Sequence, residues 1–411
     1  MTKFRFLIFI FWLYSMFTDY TSVPYHFKEE AVKKEVERFL EKTEEEFTKQ
    51  DIEKLSECKY FVVDDSIDTL EDIEALFPNA RYLMLTFEGA LSNENCVSLE
   101  NNTSLRALSI SAQHVDDLEL GKNLAFFEIS YPEEECLTDK NNIAAFSVLG
   151  KEFVEENIKG KPLQLIRLVD GDYIYEVVAT DEWDEEFRII QERKLFISKK
   201  DGERIVYETV LDATDAVGDY SKNRIRLVDV NFDGKQDILI EKGHFGAQGL
   251  VTFTCFMNND GTYEQGGGFG GISNSAIDNE NKKVLSVWRN WAASHSWAMY
   301  SYEDGEYSMT DCLTEELIYV DGEDGSDEAK EEYWEYTIEK CIDGEMQVVE
   351  VFSEKDYTYE EIEAKIYAED SYWGLRSDKW NTLFNSGKMV DFSIYGSGDV
   401  NETLLRIIGE E

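Results

Sequence analysis

Residues 225–240 read IRLVDVNFDGKQDILI, an acidic stretch between two apolar runs in which the oxygen-bearing residues alternate. Calcium takes about six to eight oxygen ligands, and a loop supplies them when alternate side chains point inward around a tight turn. Gly234 permits the positive φ that such a bend requires. The stretch therefore predicts one calcium ion. Its predicted ligands are the side chains of Asp229, Asn231, Asp233 and Asp237 and the backbone carbonyl of Lys235.

The flanking residues indicate which kind of loop this is. The runs 225–228 and 238–240 are short and β-branched, as in strands, whereas an EF-hand loop lies between two helices. An EF-hand also needs a bidentate Glu at its last loop position, which is Ile240 here. We therefore predict a loop that joins two strands. An acidic hairpin turn without a metal is the alternative.

The loop resembles the calcium loops of FG-GAP and VCBS-type β repeats, in which D-x-N-x-D-G-x-x-D lies between two strands. Residues 220–310 are similar to an FG-GAP-related family that includes periplasmic inhibitors of lysozyme-like enzymes. The similar segments are 245–247, 258–263 and 297–300. FG-GAP propellers carry several such loops, and this chain has one clear copy. The resemblance implies a structural calcium in a β domain, and it raises an inhibitor or immunity factor against a cell-wall hydrolase as an alternative function.

The charge of the chain restricts its partners. The 411 residues include 86 acidic and 40 basic side chains, which gives a net charge of −46. A field of this sign repels phosphate backbones and anionic lipid headgroups. We therefore expect a protein or a cell-envelope glycan as partner, and no nucleic acid. The length suggests two or three compact units.

The N-terminal residues 1–22 are predicted to be a signal peptide or a membrane anchor. Lys3 and Arg5 precede the apolar run 6–13, which is too short for a membrane span and typical of a signal core. No A-x-A-like cleavage site follows. The prediction is therefore an extracytoplasmic protein that is secreted, periplasmic or membrane-anchored through its N-terminus. A buried N-terminal element of a cytosolic protein is the alternative.

Residues 23–55 are predicted to form an amphipathic helical segment, broken once, because their apolar residues recur with a period close to 3.6. These residues are Val32, Val36, Phe39, Leu40, Phe47 and Ile52.

Residues 56–135 contain an internal repeat. The pattern apolar-x-x-apolar-x-apolar begins at Cys58, Ala80, Leu105 and Leu124. It resembles leucine-rich repeats, which implies one strand per unit on a concave face and a return through a turn such as the helical segment 69–76. The Asn or Cys that usually follows the strand is missing, and an ordinary small α/β segment is the alternative. We expect outward strand positions, including Tyr82 and Phe126, to bind a partner.

Residues 140–390 are predicted to be the FG-GAP-like calcium-binding β domain, followed by a tail at 391–411. Asp-Gly pairs between alternating apolar residues indicate hairpins with type I′ turns. The pairs lie at 170–171, 201–202, 260–261, 304–305, 321–322 and 343–344. The hairpins suggest a sandwich or a partial propeller, with late helices at 359–368 and 377–384. The fold class is therefore α+β, mainly antiparallel β.

We predict no catalytic residues. The four histidines occur singly, and the chain lacks a zinc-protease helix, a nucleophile elbow and a P-loop. Among the clustered tryptophans, Trp288 and Trp297 are predicted in strand core. Trp291, in a polar loop at 290–296, is predicted to bind a partner. A carbohydrate-active enzyme or a sugar-binding module is a further alternative to an exported, non-enzymatic binding protein.

The six cysteines leave two interpretations open. No pair has the C-x-x-C spacing of a zinc site or a redox motif. Cys312 and Cys341 either bridge neighbouring strands or are small buried apolar residues.

Overall fold

The computed structural model describes part of the chain, in several segments. They are 24–42, 47–92, 102–116, 124–130, 162–180, 193–200, 205–209, 225–245, 250–266, 268–279, 281–320 and 331–366, with short pieces at 156, 183–184, 189–190, 202, 406–407 and 409. The predicted signal or anchor at 1–22 and the predicted helix at 377–384 lie outside these residues, as does most of the predicted tail. The described residues divide into two compact units. The first contains the described residues up to 175 and those in 198–202, and the second contains those in 176–197 and from 205 onward.

The first unit begins with two helices, as the apolar period predicts. Helix α1 (Glu30–Phe39) buries Val32 and Val36, and helix α2 (Lys49–Glu53) continues into a 3-10 turn at Lys54–Glu57. Thr48 and Asp51 form a reciprocal capping box at the start of α2. The Lys42 ammonium and the Thr48 hydrogen bonds lower the pKa of Asp51 to about 2.

A mixed sheet follows. Its first four strands, β1 (Tyr60–Ile67), β2 (Tyr82–Ser92), β3 (Ala107–Asp116) and β4 (Phe126–Ser130), are parallel neighbours in this order, and β5 (Pro162–Asp170) is antiparallel to β4. Helix α3 (Glu71–Leu76) lies between β1 and β2 in the chain, within the helical turn predicted at 69–76.

The register of these strands matches the spacing of the sequence pattern. Phe61 lies beside Leu83, Leu83 beside Leu108, and Leu108 beside Phe127. All four side chains are at most 2% exposed. The predicted positions of the four strand segments are therefore confirmed.

Buried side chains lie on both faces of this sheet, which corrects one prediction. Tyr82 and Phe126 are each 1% exposed, and the buried Glu128 accepts a 3.0 Å hydrogen bond from the Ser109 hydroxyl. The prediction that these positions point outward is wrong, because parallel strands usually carry packed elements on both faces. Direct contact of Tyr82 and Phe126 with a partner would require this core to open.

Five further strands follow β5 in the described part of the chain before the next large sheet begins. After β6 (Tyr173–Thr180), the short pair β7 (Trp183–Asp184) and β8 (Ile189–Ile190) precedes β9 (Arg193–Lys199) and β10 (Ile205–Thr209). A four-stranded sheet then runs through β11 (Ile225–Val228), β12 (Asp237–Phe245), β13 (Leu250–Asn259) and β14 (Thr262–Gln265) in chain order.

A six-stranded antiparallel sheet completes the strands of the second unit. Its strands, also in chain order, are β15 (Ala276–Asp278), β16 (Lys283–Trp291), β17 (Ser294–Glu303), β18 (Glu306–Val320), β19 (Glu331–Ile342) and β20 (Glu345–Ser353). Helix α4 (Tyr359–Ile366) follows and confirms most of the helix predicted at 359–368. The fold of the described residues is therefore mainly β, with one mixed sheet, two antiparallel sheets of four and six strands, and the short pair β7–β8.

Three of the predicted type I′ turns are confirmed, whereas at the pair 170–171 only Gly171 has a positive φ, of 54°, and the type I′ prediction is wrong there. Asp260, Asp304 and Asp343 have φ of 54°, 53° and 54°, and the glycines after them have φ of 90°, 91° and 86°. Two consecutive positive φ angles define the type I′ turn. The pair at 321–322 lies outside the described residues.

Two apolar clusters form the core of the second unit. The first cluster contains residues of the four-stranded and the six-stranded sheet. Its members include Val230, Phe253, Phe269 and Val284. The second packs Leu313, Ile338 and Phe352 of the six-stranded sheet against α4.

The described cysteines are all free. Cys312 is buried, as a small apolar residue would be, and Cys341 is exposed. The suggested bridge between them is absent. Cys96 and Cys136 lie outside the described residues.

No helix in the described part of the chain combines the length and the apolar character needed to cross a membrane.

Candidate functional site

The predicted calcium loop joins two strands, as its flanking residues indicate. Strands β11 and β12 are antiparallel, and Val228 pairs with Asp237 at the base of the loop. Phe232 and Gly234 have φ of 63° and 86°. Such angles are costly for most residues and free of strain for glycine. The bend predicted at Gly234 is therefore present, and a second left-handed residue precedes it.

The side chains of the loop fold back onto its own backbone. Asp229 accepts hydrogen bonds from the amides of Asp233, at 3.1 Å, and Gly234, at 2.8 Å. Asn231 Oδ1 accepts from the same Asp233 amide at 3.1 Å, and Asp233 Oδ1 accepts from the Lys235 amide at 2.8 Å. The oxygens of three predicted ligands therefore turn toward the inside of one loop.

Asp237 is the buried member of the group. It is 0% exposed, and its two carboxylate oxygens accept from the amides of Val230, at 3.0 Å, and Asn258, at 2.8 Å. Burial raises the pKa of Asp237. The two amides oppose this shift, and the negative charges of Asp229 and Asp233 add to it. A cation beside these carboxylates would relieve their mutual repulsion.

Residues of β13, of the turn after it and of β18 contact the loop. Asn258, at the end of β13, donates from its side chain to the Gln236 carbonyl at 3.1 Å. Tyr307, on β18, donates its hydroxyl to the Val230 carbonyl. The Lys235 ammonium lies 2.9 Å from an Asp260 carboxylate oxygen. The backbone of the loop is thus fixed by contacts with other strands.

The donor types fit calcium, which prefers carboxylate, amide and carbonyl oxygens. A carboxylate oxygen that accepts one N–H retains a lone pair for a cation. Within the described residues, however, no group of three or more His, Cys, Asp and Glu side chains is arranged to hold a metal ion. Calcium binding by Asp229, Asn231, Asp233, Lys235 and Asp237 therefore stays a prediction.

Trp291 lies at the end of β16, where the structure shortens the predicted loop. Strand β16 ends at Trp291 and strand β17 begins at Ser294. Only Ala292 and Ala293 therefore form the turn. Trp291 is 39% exposed. Trp297 is partly buried and packs against the core, as predicted, whereas Trp288 is half-buried on β16.

A histidine–carboxylate pair is the feature that the sequence interpretation missed. His295 on β17 lies opposite Glu315 on β18, with 3.0 Å between Nδ1 and the carboxylate oxygen. Glu315 is buried. The two residues are far apart in the chain, and only the strand register brings them together. The pair is a cross-strand hydrogen bond.

Comparisons with known proteins assign no family to this chain. No protein-family model matches it, and no curated protein matches it. Among solved structures, it is similar to one described as "Structure of a Xanthomonas Type IV Secretion System related protein". The identity is 19%, the TM-score is 0.33, and the match covers 45% of this chain and 93% of that chain. A likeness at this TM-score supports no conclusion about function.

We expect Tyr307→Phe to lower the free energy of unfolding of the second unit by about 1–2 kcal/mol. The substitution leaves the Val230 carbonyl without the hydroxyl that now donates to it, and an unpaired buried acceptor costs on this order. Urea unfolding monitored by circular dichroism measures the change. Tyr302→Phe is the matched control, because the Tyr302 ring lies 4.9 Å from that of Tyr307. Equal effects of the two substitutions would contradict a specific role for the Tyr307 hydroxyl.

Proposed function

We propose that this protein is an exported, non-enzymatic binding protein whose β domain is stabilised by one calcium ion at Asp229–Asp237. The observation that carries the proposal is the loop itself. Asp229, Asn231 and Asp233 turn their oxygens inward, and the buried Asp237 carboxylate lies at its base. The ion would neutralise carboxylates that otherwise repel one another, and it would join the loop to the start of β12.

The role of such an ion would be structural. The loop and strand β12 also contribute to the apolar core, through Val230 and Leu239 respectively. A cation held there would stabilise the four-stranded sheet, and the exposed surfaces of the unit would remain free for a partner. Two finer assignments belong to the same proposal and rest on sequence resemblance. They are a leucine-rich-repeat-like segment at 56–135 and an FG-GAP-like sandwich or partial propeller at 140–390.

Export is the part of the proposal that rests on sequence alone. We expect the full chain, fused at its C-terminus to a phosphatase that is active only outside the cytoplasm, to give reporter activity. Replacing Ile8 and Ile10 with Asp should abolish that activity, because charges destroy the apolar core that export machinery recognises. A fusion that is well expressed and silent would place the protein in the cytosol.

A further inference from the structure

The second unit exposes a pair of large aromatic side chains on one sheet. Trp291, at the end of β16, and Tyr319, near the end of β18, have ring centroids 6.5 Å apart and ring planes inclined by 41°. Trp291 is 39% exposed and Tyr319 is 49% exposed. Aromatic side chains of this kind are enriched among the residues that dominate binding interfaces.

The turn that carries Trp291 is held in place by hydrogen bonds. The Arg289 guanidinium donates to the carbonyls of Trp291, at 3.0 Å, and Ala292, at 2.6 Å. The Asn290 side-chain amide donates to the hydroxyls of Ser294, at 3.0 Å, and Ser296, at 2.8 Å. A partner would therefore meet a surface that is already ordered, which lowers the entropic cost of binding.

Two carboxylates, those of Glu316 and Glu335, lie on the same face of the sheet as Trp291, because residues directly opposite each other share a face. Trp291 Nε1 donates to Glu316 Oε1 at 3.3 Å. Glu316 lies directly opposite Glu335 on β19, and Tyr319 lies opposite Glu332. Like charges directly opposite each other destabilise a sheet. Glu332 and Tyr319 lie three positions from the Glu316–Glu335 pair and project from the other face. Among the described residues, no ion pair involves Glu316 or Glu335, and Arg289 is engaged by the turn carbonyls.

A neighbouring part of the same sheet shows how a cation fits such a group. The Lys355 ammonium lies 4.0 Å from the centre of the Tyr333 ring and 3.1 Å from a Glu331 carboxylate oxygen. An aromatic ring and a glutamate are thus bridged there by a cation of the chain itself. The group around Trp291 offers the same side-chain types, and the described residues place no cation between them.

We propose that Trp291, Glu316 and Glu335, with the Tyr319 ring beside Trp291, form a docking surface for an arginine- or lysine-containing segment of a partner protein. A guanidinium stacks on an aromatic face and pairs with carboxylates at the same time. The net charge of −46 attracts such a segment over a distance. The inference rests on the proposed binding function and is independent of calcium.

The test uses the full chain and a defined probe. The probe is a capped peptide of alternating arginine and glycine, with a glutamine–glycine peptide as the neutral counterpart. Isothermal titration is run with calcium present and at about 150 mM salt, where charges more than about 8 Å apart are largely screened. We expect the arginine peptide to bind and the neutral peptide not to bind.

Variants locate the binding. Trp291→Ala should weaken it about fivefold or more, which corresponds to the loss of one cation–π contact. Combining Glu316→Gln with Glu335→Gln should weaken it about tenfold. Tyr359→Ala removes an aromatic side chain that is 56% exposed on α4, outside the proposed surface, and should leave the affinity unchanged.

Two outcomes would overturn the inference. If Trp291→Ala binds the arginine peptide as tightly as the unmodified chain, the peptide is held by the diffuse negative field. The second outcome uses chitotetraose, a short glycan, as the probe. If chitotetraose binds the unmodified chain, binds Trp291→Ala more weakly, and the arginine peptide does not bind, the surface recognises a glycan. Neither outcome depends on whether calcium stabilises the fold, so the two proposals fail separately.

Discussion

Asp237→Ala is expected to lower the free energy of unfolding of the second unit by about 2–4 kcal/mol, even without calcium. The buried carboxylate accepts from the amides of Val230 and Asn258, and alanine would leave both donors unpaired. Each unpaired buried donor costs about 1–3 kcal/mol. Removing a buried charge offsets part of this loss, because burial already raises the pKa of Asp237.

Urea unfolding in the presence of a chelator measures this effect. Asp237→Asn, which keeps one acceptor oxygen, should fall between the unmodified chain and Asp237→Ala. Glu264→Ala, at an exposed position on β14, is the control and should change stability by less than about 0.5 kcal/mol. A loss below about 1 kcal/mol for Asp237→Ala would contradict the role assigned to this carboxylate.

Calcium is expected to stabilise the folded chain by roughly 2.7 kcal/mol at about a hundredfold excess over Kd. Asp233→Asn should remove most of this gain, because it removes a charged ligand and keeps an oxygen that can accept from the Lys235 amide. The measured quantity is the difference between unfolding with calcium and unfolding with a chelator. If that difference is zero in the unmodified chain, the ion has no structural role.

The gain from calcium should also depend on pH. Burial and the negative neighbours raise the pKa of Asp237 above the ordinary aspartate value. The folded chain therefore holds this proton more tightly than the unfolded chain. Protonation stabilises the calcium-free fold at acidic pH, and this contribution is lost as the pH rises through the raised pKa. Because calcium needs the ionised form, its stabilising effect should shrink as the pH falls through the same window.

The sequence predicted those features that depend on local chemistry. Asp-Gly pairs predicted three type I′ turns, because few other dipeptides accept two positive φ angles. The spacing around Phe61, Leu83, Leu108 and Phe127 predicted adjacent strands, because residues with the same burial requirement align across a sheet. The strand–loop–strand form of Asp229–Asp237 followed from its β-branched flanks.

Features that depend on distant residues were not predictable. Tyr82 and Phe126 occupy alternate strand positions that suit either a solvent face or a second packed face, and only tertiary structure decides between them. The acceptor role of Asp237 depends on Asn258, which lies on another strand. The glutamates near Trp291 come together through the register of β17, β18 and β19, and no local pattern marks that register.

Direct calcium titration of the purified, chelator-treated full chain tests the central claim. Isothermal titration in the presence of excess magnesium, which suppresses weak binding to scattered carboxylates, should give one calcium ion per chain. Asp233→Asn should abolish that binding, whereas Glu264→Gln should leave it unchanged. Absence of a calcium site in the unmodified chain, or a site that survives in Asp233→Asn, would contradict the assignment of Asp229–Asp237 as the calcium loop.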